Sequence, residues 1–171
     1  MLARVYDPLG LLIPFTVLAK CLFQELWELR LDWDEVLPDE KAELFCRWMD
    51  GCQRLHDVRV SRCFTAQSTG DWSSLTGGVE LHVFADASLK SYGSCVYLRF
   101  VQPDGSYHVS FVMSKGRVAP LRQRLILPRL ELMACLTAAE LVKHVVEEAD
   151  MICTYINRIT LLLIRITLLT S

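Results

Sequence analysis

Apolar and polar residues follow a helical period in the first part of the chain. Leucines recur at helical spacing, which predicts a helix over about residues 15–31. A polar break follows, and a second helix is predicted to begin at Pro38 or Asp39 and to present one apolar face as far as Cys52. Two helices are therefore expected before about Leu55.

The next part of the chain carries strand-like sequence. Residues 58–64 are rich in β-forming side chains and could form a short strand, and the polar, Gly- and Ser-containing stretch at 65–78 marks a domain boundary. Beyond it, three stretches alternate between apolar and polar residues, and Pro103-Asp104-Gly105 is typical of a hairpin turn. The stretches, which predict a three-stranded antiparallel meander, are Val79–Ala87, Tyr92–Val101 and Tyr107–Met113.

A helix is predicted after the third strand, from Pro128 to about Ala149, because proline suits the first turn of a helix. Its apolar positions recur at helical spacing and include small side chains, which let a helix lie close against a sheet. The expected core-facing positions are Leu130, Ala134, Thr137 or Ala138, Leu141 and Val145. Two helices, three strands and a further helix together predict an α+β fold.

The last residues contain a short internal repeat. The segment Arg158-Ile159-Thr160-Leu161-Leu162 recurs seven positions later as Arg165-Ile166-Thr167-Leu168-Leu169. The stretch is interrupted by Arg165 and is too short to span a bilayer. We interpret residues 151–171 as an atypical apolar tail, of the kind that a broken or misjoined reading frame produces, and predict that Ile159–Leu169 packs against an open sheet edge.

Charge narrows the candidate functions. The formal net charge is -2 and the pI is about 6.1, so the chain lacks the overall basic excess of a free-standing nucleic-acid-binding protein. Any nucleic-acid site must be local. One cationic run without an intervening acid could contact phosphate, and the alternative is a solvent-exposed, arginine-rich loop. This run consists of Lys115, Arg117, Arg122, Arg124 and Arg129.

Cysteine usage and the amino terminus indicate the compartment. The 7 cysteines are scattered through apolar stretches without zinc-ligand spacing, as expected of small core residues in a reducing environment. The first residues lack the layout of a secretory signal, and Asp7-Pro8, Gly10 and Pro14 interrupt any continuous apolar span. We therefore expect an intracellular protein, in the cytoplasm or nucleus, without a membrane segment.

Two carboxylates are candidate metal ligands. Asp86 ends the first predicted strand, where a rigid backbone can direct a carboxylate toward a hard cation such as Mg²⁺, and a local Asp turn is the alternative. Glu131 lies in the first turn of the predicted helix, where a favourable interaction with the helix dipole is the alternative. Because an Asp that ends a strand and a Glu that opens a helix can converge over a sheet, the pair predicts one metal site.

Several separated motifs resemble the Bel-Pao group of long-terminal-repeat retrotransposon polyproteins, in the region called Pao retrotransposon peptidase that joins reverse transcriptase to ribonuclease H. The resemblance covers about Arg4 to Val146. In chain order the motifs are Val5-Tyr6-Asp7-Pro8-Leu9-Gly10-Leu11, Gln24-Glu25-Leu26-Trp27 leading to Leu31-Asp32-Trp33-Asp34, Phe84-Ala85-Asp86-Ala87-Ser88 with Tyr92-Gly93, Ser114-Lys115-Gly116-Arg117-Val118-Ala119-Pro120, and Leu127-Pro128-Arg129-Leu130-Glu131-Leu132.

This resemblance implies a helical segment at 1–66, similar to the thumb or connection of reverse transcriptase, a partial ribonuclease H-like domain at 79–150, and then the tail. It also implies that Asp86 and Glu131 are catalytic residues that bind Mg²⁺ in a two-metal site, which hydrolyses RNA in an RNA–DNA hybrid. The cationic run would lie near the hybrid backbone. The resemblance implies neither a membrane nor a small-molecule cofactor.

The chain departs from the family pattern after the last predicted helix. Ribonuclease H folds need a further Asp at the end of a fourth strand and commonly another acid later, whereas Asp150 here directly follows the helix. Polymerase aspartates would lie upstream of Met1, and Ser88, His82 and His108 form no protease motif.

We therefore expect a truncated ribonuclease H-like domain that is inactive alone, taken from a polyprotein that performs reverse transcription and hydrolyses RNA in hybrids. Two alternatives are consistent with the same residues. The chain could be a catalytically inactive remnant that binds nucleic acid weakly, or a nuclease that another chain completes.

Overall fold

The computed structural model describes residues 5–32, 34–61, 63–65, 78–102, 104–123, 125–148 and 156–163. These residues form an α+β fold of three helices and a four-stranded mixed sheet. In chain order the elements are α1 (Ile13–Glu28), α2 (Asp39–Arg54) with a short 3₁₀ turn (Leu55–Asp57), β1 (Val79–Ala87), β2 (Ser91–Val101), β3 (Tyr107–Val118), α3 (Leu127–Glu148) and β4 (Ile156–Leu163). None of the helices in these ranges has the length and apolarity needed to cross a membrane.

The strand order is β3-β2-β1-β4. Strands β1 to β3 form the predicted antiparallel meander, and β4 returns to pair with β1 in parallel. The sequence predicts three strands, so β4 is an addition that comes from the atypical tail. The prediction that Ile159–Leu169 packs against the open edge of the sheet is confirmed for Ile159–Leu163, and the rest of that stretch lies outside the described residues.

The core lies between one face of the sheet and α3. Alternate residues of β1, from Val79 to Ala87, are buried on this face, as are the even-numbered residues of β2 from Tyr92 to Phe100. All the predicted core-facing positions of α3 are buried, namely Leu130, Ala134, Thr137, Ala138, Leu141 and Val145. The alanines keep the helix close to the sheet, as their size predicts.

Two strand predictions differ markedly from the structure. Strand β3 continues to Val118, five residues beyond Met113, because its polar second half pairs with β2 as far as Ser91. Pairing with a neighbouring strand therefore outweighs the low β-propensity of this segment. The described residues within 58–64 form no strand, so the prediction of a short strand there is wrong.

The helical segment docks on the free edge of β3. The Ser114 amide donates to the Leu9 carbonyl at 2.8 Å, and the Ser114 hydroxyl donates to the Gly10 carbonyl at 2.6 Å. Gly10 has a φ of +76°, and a Cβ there would lie 2.2 Å from the Ser114 carbonyl oxygen, so only glycine fits. Farther along α1, the side-chain amide of Gln24 donates from Nε2 to the Ala119 carbonyl at 2.8 Å. One edge of the sheet is thus covered by the chain itself.

Candidate functional site

Asp86 is the last residue but one of β1 and lies opposite Gly93 of β2. Its neighbours Ala85 and Ala87 are buried in the core against α3. Because successive side chains of a strand point to opposite faces, Asp86 belongs to the other side of the sheet, which we call the open face. The side chain is half-buried there.

The turn that follows Asp86 is held by a serine. The Ser88 hydroxyl oxygen accepts hydrogen bonds from the backbone amides of Lys90 and Ser91, at 3.3 and 3.1 Å. The Ser88 amide in turn donates to the Ser91 carbonyl at 2.7 Å. Ser88, and not Asp86, therefore makes the hydrogen bonds of this turn. This favours the interpretation of Asp86 as a carboxylate held at a strand end over the alternative of a local Asp turn.

Glu131 is the fifth residue of α3, because the helix begins at Leu127. It therefore lies just beyond the first turn, one residue deeper in the helix than the sequence indicates. Its neighbour Leu130 is fully buried and Leu132 is 68% exposed. The Glu131 side chain is half-buried, and its Oε1 atom is shielded from solvent.

The two carboxylates belong to opposite sides of the sheet: Asp86 to the open face, and Glu131 to the helix that covers the core face. Within the ranges that the structure describes, no group of three or more His, Cys, Asp or Glu side chains is arranged to hold a metal ion. The structure therefore places one predicted ligand on β1 and the other on α3, and it gathers no larger acidic cluster around them in the described ranges.

Strand β4 is the strand on which the resemblance leads us to expect a further acidic ligand. Leu162 and Leu163 are the register partners of Phe84 and Ala85, just before Asp86, and the eight residues of β4 include no Asp or Glu. Ribonuclease H-like domains generally use Mg²⁺, but two carboxylates cannot offset the charge of two such cations. The donor set of the described residues does not fit a two-magnesium site.

The predicted cationic run is divided between a strand, a bend and a helix. Lys115 lies in β3, and its ammonium is 3.4 Å from a carboxylate oxygen of Glu140 in α3. Arg117, Arg122 and Arg129 are exposed and form no ion pair with the described residues, whereas Arg124 lies outside those residues. The structure therefore leaves three of the five cations open to an external anion.

The open face also carries a charged cluster that the sequence analysis missed. Glu80 Oε2 lies 2.9 Å from both His82 Nε2 and Arg99 Nε. The hydrogen bond from His82 lowers the pKa of Glu80, and the nearby charges of Arg99, His82 and Arg158 lower it further. The alternation of Glu80 and His82 with buried residues of β1 was the signal for this cluster.

Aromatic rings lie side by side on the open face of β1, β2 and β3. Phe84 and Tyr97 meet edge to face with ring centroids 5.8 Å apart, and Tyr97 meets Phe111 in the same way at 5.6 Å. Phe84 and Tyr97 line, together with Asp86, a groove of about 810 Å³ that extends to Ile13 at the start of α1. The predicted strand-end ligand therefore lies in a groove that aromatic rings line.

An α+β domain with an antiparallel three-stranded meander, a helix across one face and a fourth strand parallel to the first is consistent with a ribonuclease H-like fold. The chain matches the family described as Pao retrotransposon-like RNaseH-like domain over residues 1–161, and it belongs to that family. The match confirms the resemblance at the level of a Pao retrotransposon ribonuclease H-like region. Neither a curated protein nor a solved structure matches the chain.

Proposed function

We propose that this chain is a fragment of a Bel-Pao retrotransposon Pol polyprotein whose parent carries out reverse transcription and hydrolyses RNA in RNA–DNA hybrids. Family membership supports a retrotransposon ribonuclease H-like function of this general kind. In this proposal residues 1–66 derive from the reverse transcriptase thumb or connection, residues 79–150 from the ribonuclease H-like domain, and residues 151–171 form the tail.

The observation that carries the proposal is the position of Asp86. Its carboxylate lies at the end of β1, between the antiparallel neighbour β2 and the parallel neighbour β4. A strand end fixes the backbone while leaving the side chain half-exposed to a substrate, as hydrolysis of a phosphodiester requires. In the parent, Asp86 and Glu131 would provide two of the acidic Mg²⁺ ligands only if their side chains, which start on opposite sides of the sheet, meet around the end of β1. Lys115, Arg117, Arg122, Arg124 and Arg129 would contact the hybrid backbone.

A second candidate function is a remnant that binds nucleic acid weakly and does not cut it. Strand β4 favours this candidate, because the place beside the end of β1 is occupied by Leu162 and Leu163. The exposed residues Arg117, Arg122 and Arg129 would still attract phosphates.

A cleavage and binding experiment on the full chain separates the two candidates. A fluorescent RNA–DNA hybrid is incubated with the chain and Mg²⁺, cleavage is read on a denaturing gel, and binding is read by fluorescence anisotropy at several salt concentrations. The test variant is Asp86→Asn, and the matched control is Asp50→Asn, which changes an exposed carboxylate of α2.

Each result points to one candidate. Cleavage that Asp86→Asn abolishes and Asp50→Asn preserves would exclude the remnant and would show that the chain is active alone, contrary to our expectation. Salt-sensitive binding without cleavage would support the remnant, because the chain would then bind the hybrid without cutting it. A chain that neither binds nor cleaves the hybrid would overturn both candidates.

A further inference from the structure

One face of α1 meets the residues that follow Asp86. Gln24 and Glu25 come three and four residues after Cys21, so the three side chains lie on the same face of the helix. Gln24 and Glu25 open one of the motifs that carry the family resemblance, and neither is a candidate metal ligand or phosphate contact. Their contacts across the fold indicate a different role.

Lys90 joins the turn after Asp86 to the end of β3. Its carbonyl oxygen accepts a hydrogen bond from the Ala119 amide at 2.8 Å, and the Cys21 thiol lies 3.9 Å from the same oxygen. The Lys90 amide belongs to the turn that Ser88 holds. Since Ala119 lies within the cationic run, this backbone contact joins the segment of the predicted strand-end ligand to the segment of the predicted phosphate contacts.

Gln24 supplies the second hydrogen bond of Ala119. Pairing between β2 and β3 ends at Ser91 and Val118, so the polar groups of Ala119 bond outside the ladder. Backbone groups in such a place need partners from elsewhere. The Gln24 side chain donates from Nε2 to the Ala119 carbonyl at 2.8 Å, and α1 thereby fixes the backbone three residues before Arg122.

Glu25 holds the same turn through its carboxylate. Oε1 accepts a hydrogen bond from the Lys90 ammonium at 2.8 Å, and Oε2 accepts one from the Lys41 ammonium of α2 at 2.7 Å. The side chain of Lys90 is 73% exposed, and an exposed ion pair alone contributes little. Lys41 is only 19% exposed, however, and it fixes the carboxylate so that Oε1 is already directed at Lys90. Both helices therefore act on the turn.

We propose that Gln24 and Glu25 are positioning residues of the hybrid-binding site, which fix the turn after Asp86 and the start of the cationic run in one arrangement. This inference rests on the proposed function and deepens it, because the helical segment then contributes to the ribonuclease H-like site. Groups that are already ordered lose less freedom on binding and therefore bind more tightly. Loss of either contact weakens hybrid binding, although neither side chain touches the nucleic acid.

The first test is binding of a fluorescent RNA–DNA hybrid by the full chain, read by anisotropy. Gln24→Met keeps the length of the side chain and removes the donor, whereas Glu25→Gln keeps the shape and removes the charge. Each should weaken binding by about two- to tenfold, the effect of one hydrogen bond.

The matched control is Glu28→Gln, which removes an exposed carboxylate from the same helix. It should leave the affinity unchanged or raise it, because it reduces repulsion of the phosphates. Glu25→Gln and Glu28→Gln remove the same charge from the chain. A positioning role for Glu25 therefore predicts effects that differ in sign.

A second measurement follows the turn itself and needs no nucleic acid. Hydrogen exchange by NMR should be about two- to tenfold faster in Gln24→Met and Glu25→Gln at the amides of Lys90, Ser91 and Ala119. This increase is taken relative to any change at Leu81 and Val83, whose amides in the buried part of β1 report global stability. Glu28→Gln should leave the exchange of the turn at its wild-type rate.

Unchanged exchange of the turn in both variants would overturn the proposal. So would faster exchange with an affinity no lower than that of Glu28→Gln, because the contacts would then serve stability alone. If the wild-type chain bound no hybrid, the proposed function would fail by itself. The exchange of the turn would still decide whether Gln24 and Glu25 hold it in place.

Discussion

Gly116 of β3 lies directly against the side chain of Ile13, the first residue of α1. A Cβ at position 116 would lie 2.5 Å from Ile13 Cγ2, well inside van der Waals contact. The absence of a side chain at Gly116 therefore allows α1 to approach the sheet. The two residues also line the groove that contains Asp86, so the contact links the helical segment to the candidate site.

Replacing Gly116 with Ala should destabilise the protein by about 1–3 kcal/mol, because the added methyl group overpacks the contact with a β-branched side chain. The measurement is the free energy of unfolding in urea. In an Ile13→Ala background, where Cγ2 is absent, the same substitution should cost less than about 1 kcal/mol. Equal costs in both backgrounds would show that the two side chains do not meet.

The pairing of α1 with α2 depends on Trp48. Its indole Nε1 donates to the Phe15 carbonyl at 3.0 Å, and the two rings stack with centroids 5.2 Å apart. Trp48→Phe should lower the free energy of unfolding by about 1–2 kcal/mol, through the lost hydrogen bond and reduced burial. Trp27→Phe is the control, because Trp27 is 74% exposed, and a similar loss there would contradict the prediction.

The alternating and helical patterns predicted much of the fold. They succeeded where the period of apolar residues in the sequence matches the period of buried side chains in the element. The stretch Val79–Ala87 alternates in sequence and is β1 in the structure, and the core-facing stripe of α3 is buried as predicted. In β3 the polar residues after Met113 have no apolar alternation, and the strand is maintained by pairing with β2 on one side and Leu9 on the other.

Strand β4 could not be predicted as a strand, because Ile159 to Leu163 lacks the alternation of a half-buried strand and the turn signals of a hairpin. It is defined by parallel pairing with β1, which depends on residues about 78 positions apart. The candidate site divides in the same way. Strand-end and helix positions indicated Asp86 and Glu131, whereas the Glu80 cluster also requires the register of the meander, which places Arg99 opposite Glu80.

Glu25 should make stability depend on pH. Hydrogen bonds from Lys41 and then Lys90 lower the pKa of Glu25 from its ordinary value of 4.5. Because the folded-state pKa is the lower one, this stabilisation is fully present above the unfolded-state pKa and is lost as the pH falls through the folded-state value. The advantage of the wild type over Glu25→Gln in urea unfolding should therefore shrink as the solution is acidified.

The control for this comparison is Glu28→Gln, in the same helix, which removes an exposed carboxylate that forms no ion pair with the described residues. Its stability should stay parallel to that of the wild type throughout the acid range. If the difference between wild type and Glu25→Gln were constant with pH, the contacts of Glu25 with Lys41 and Lys90 would contribute no linked stability.

The exposed cations near β3 and α3 should determine how hybrid binding depends on salt. If Arg117, Arg122 and Arg129 contact phosphates, each neutralised phosphate releases counterions, and the logarithm of the binding constant falls with the logarithm of salt concentration. Changing all three to Gln should reduce the magnitude of this slope by about 2–3, close to one for each lost contact. Arg47→Gln, an exposed cation of α2, should leave it unchanged. A triple variant with the wild-type slope would place the phosphate contacts elsewhere, whether or not the chain cleaves the hybrid.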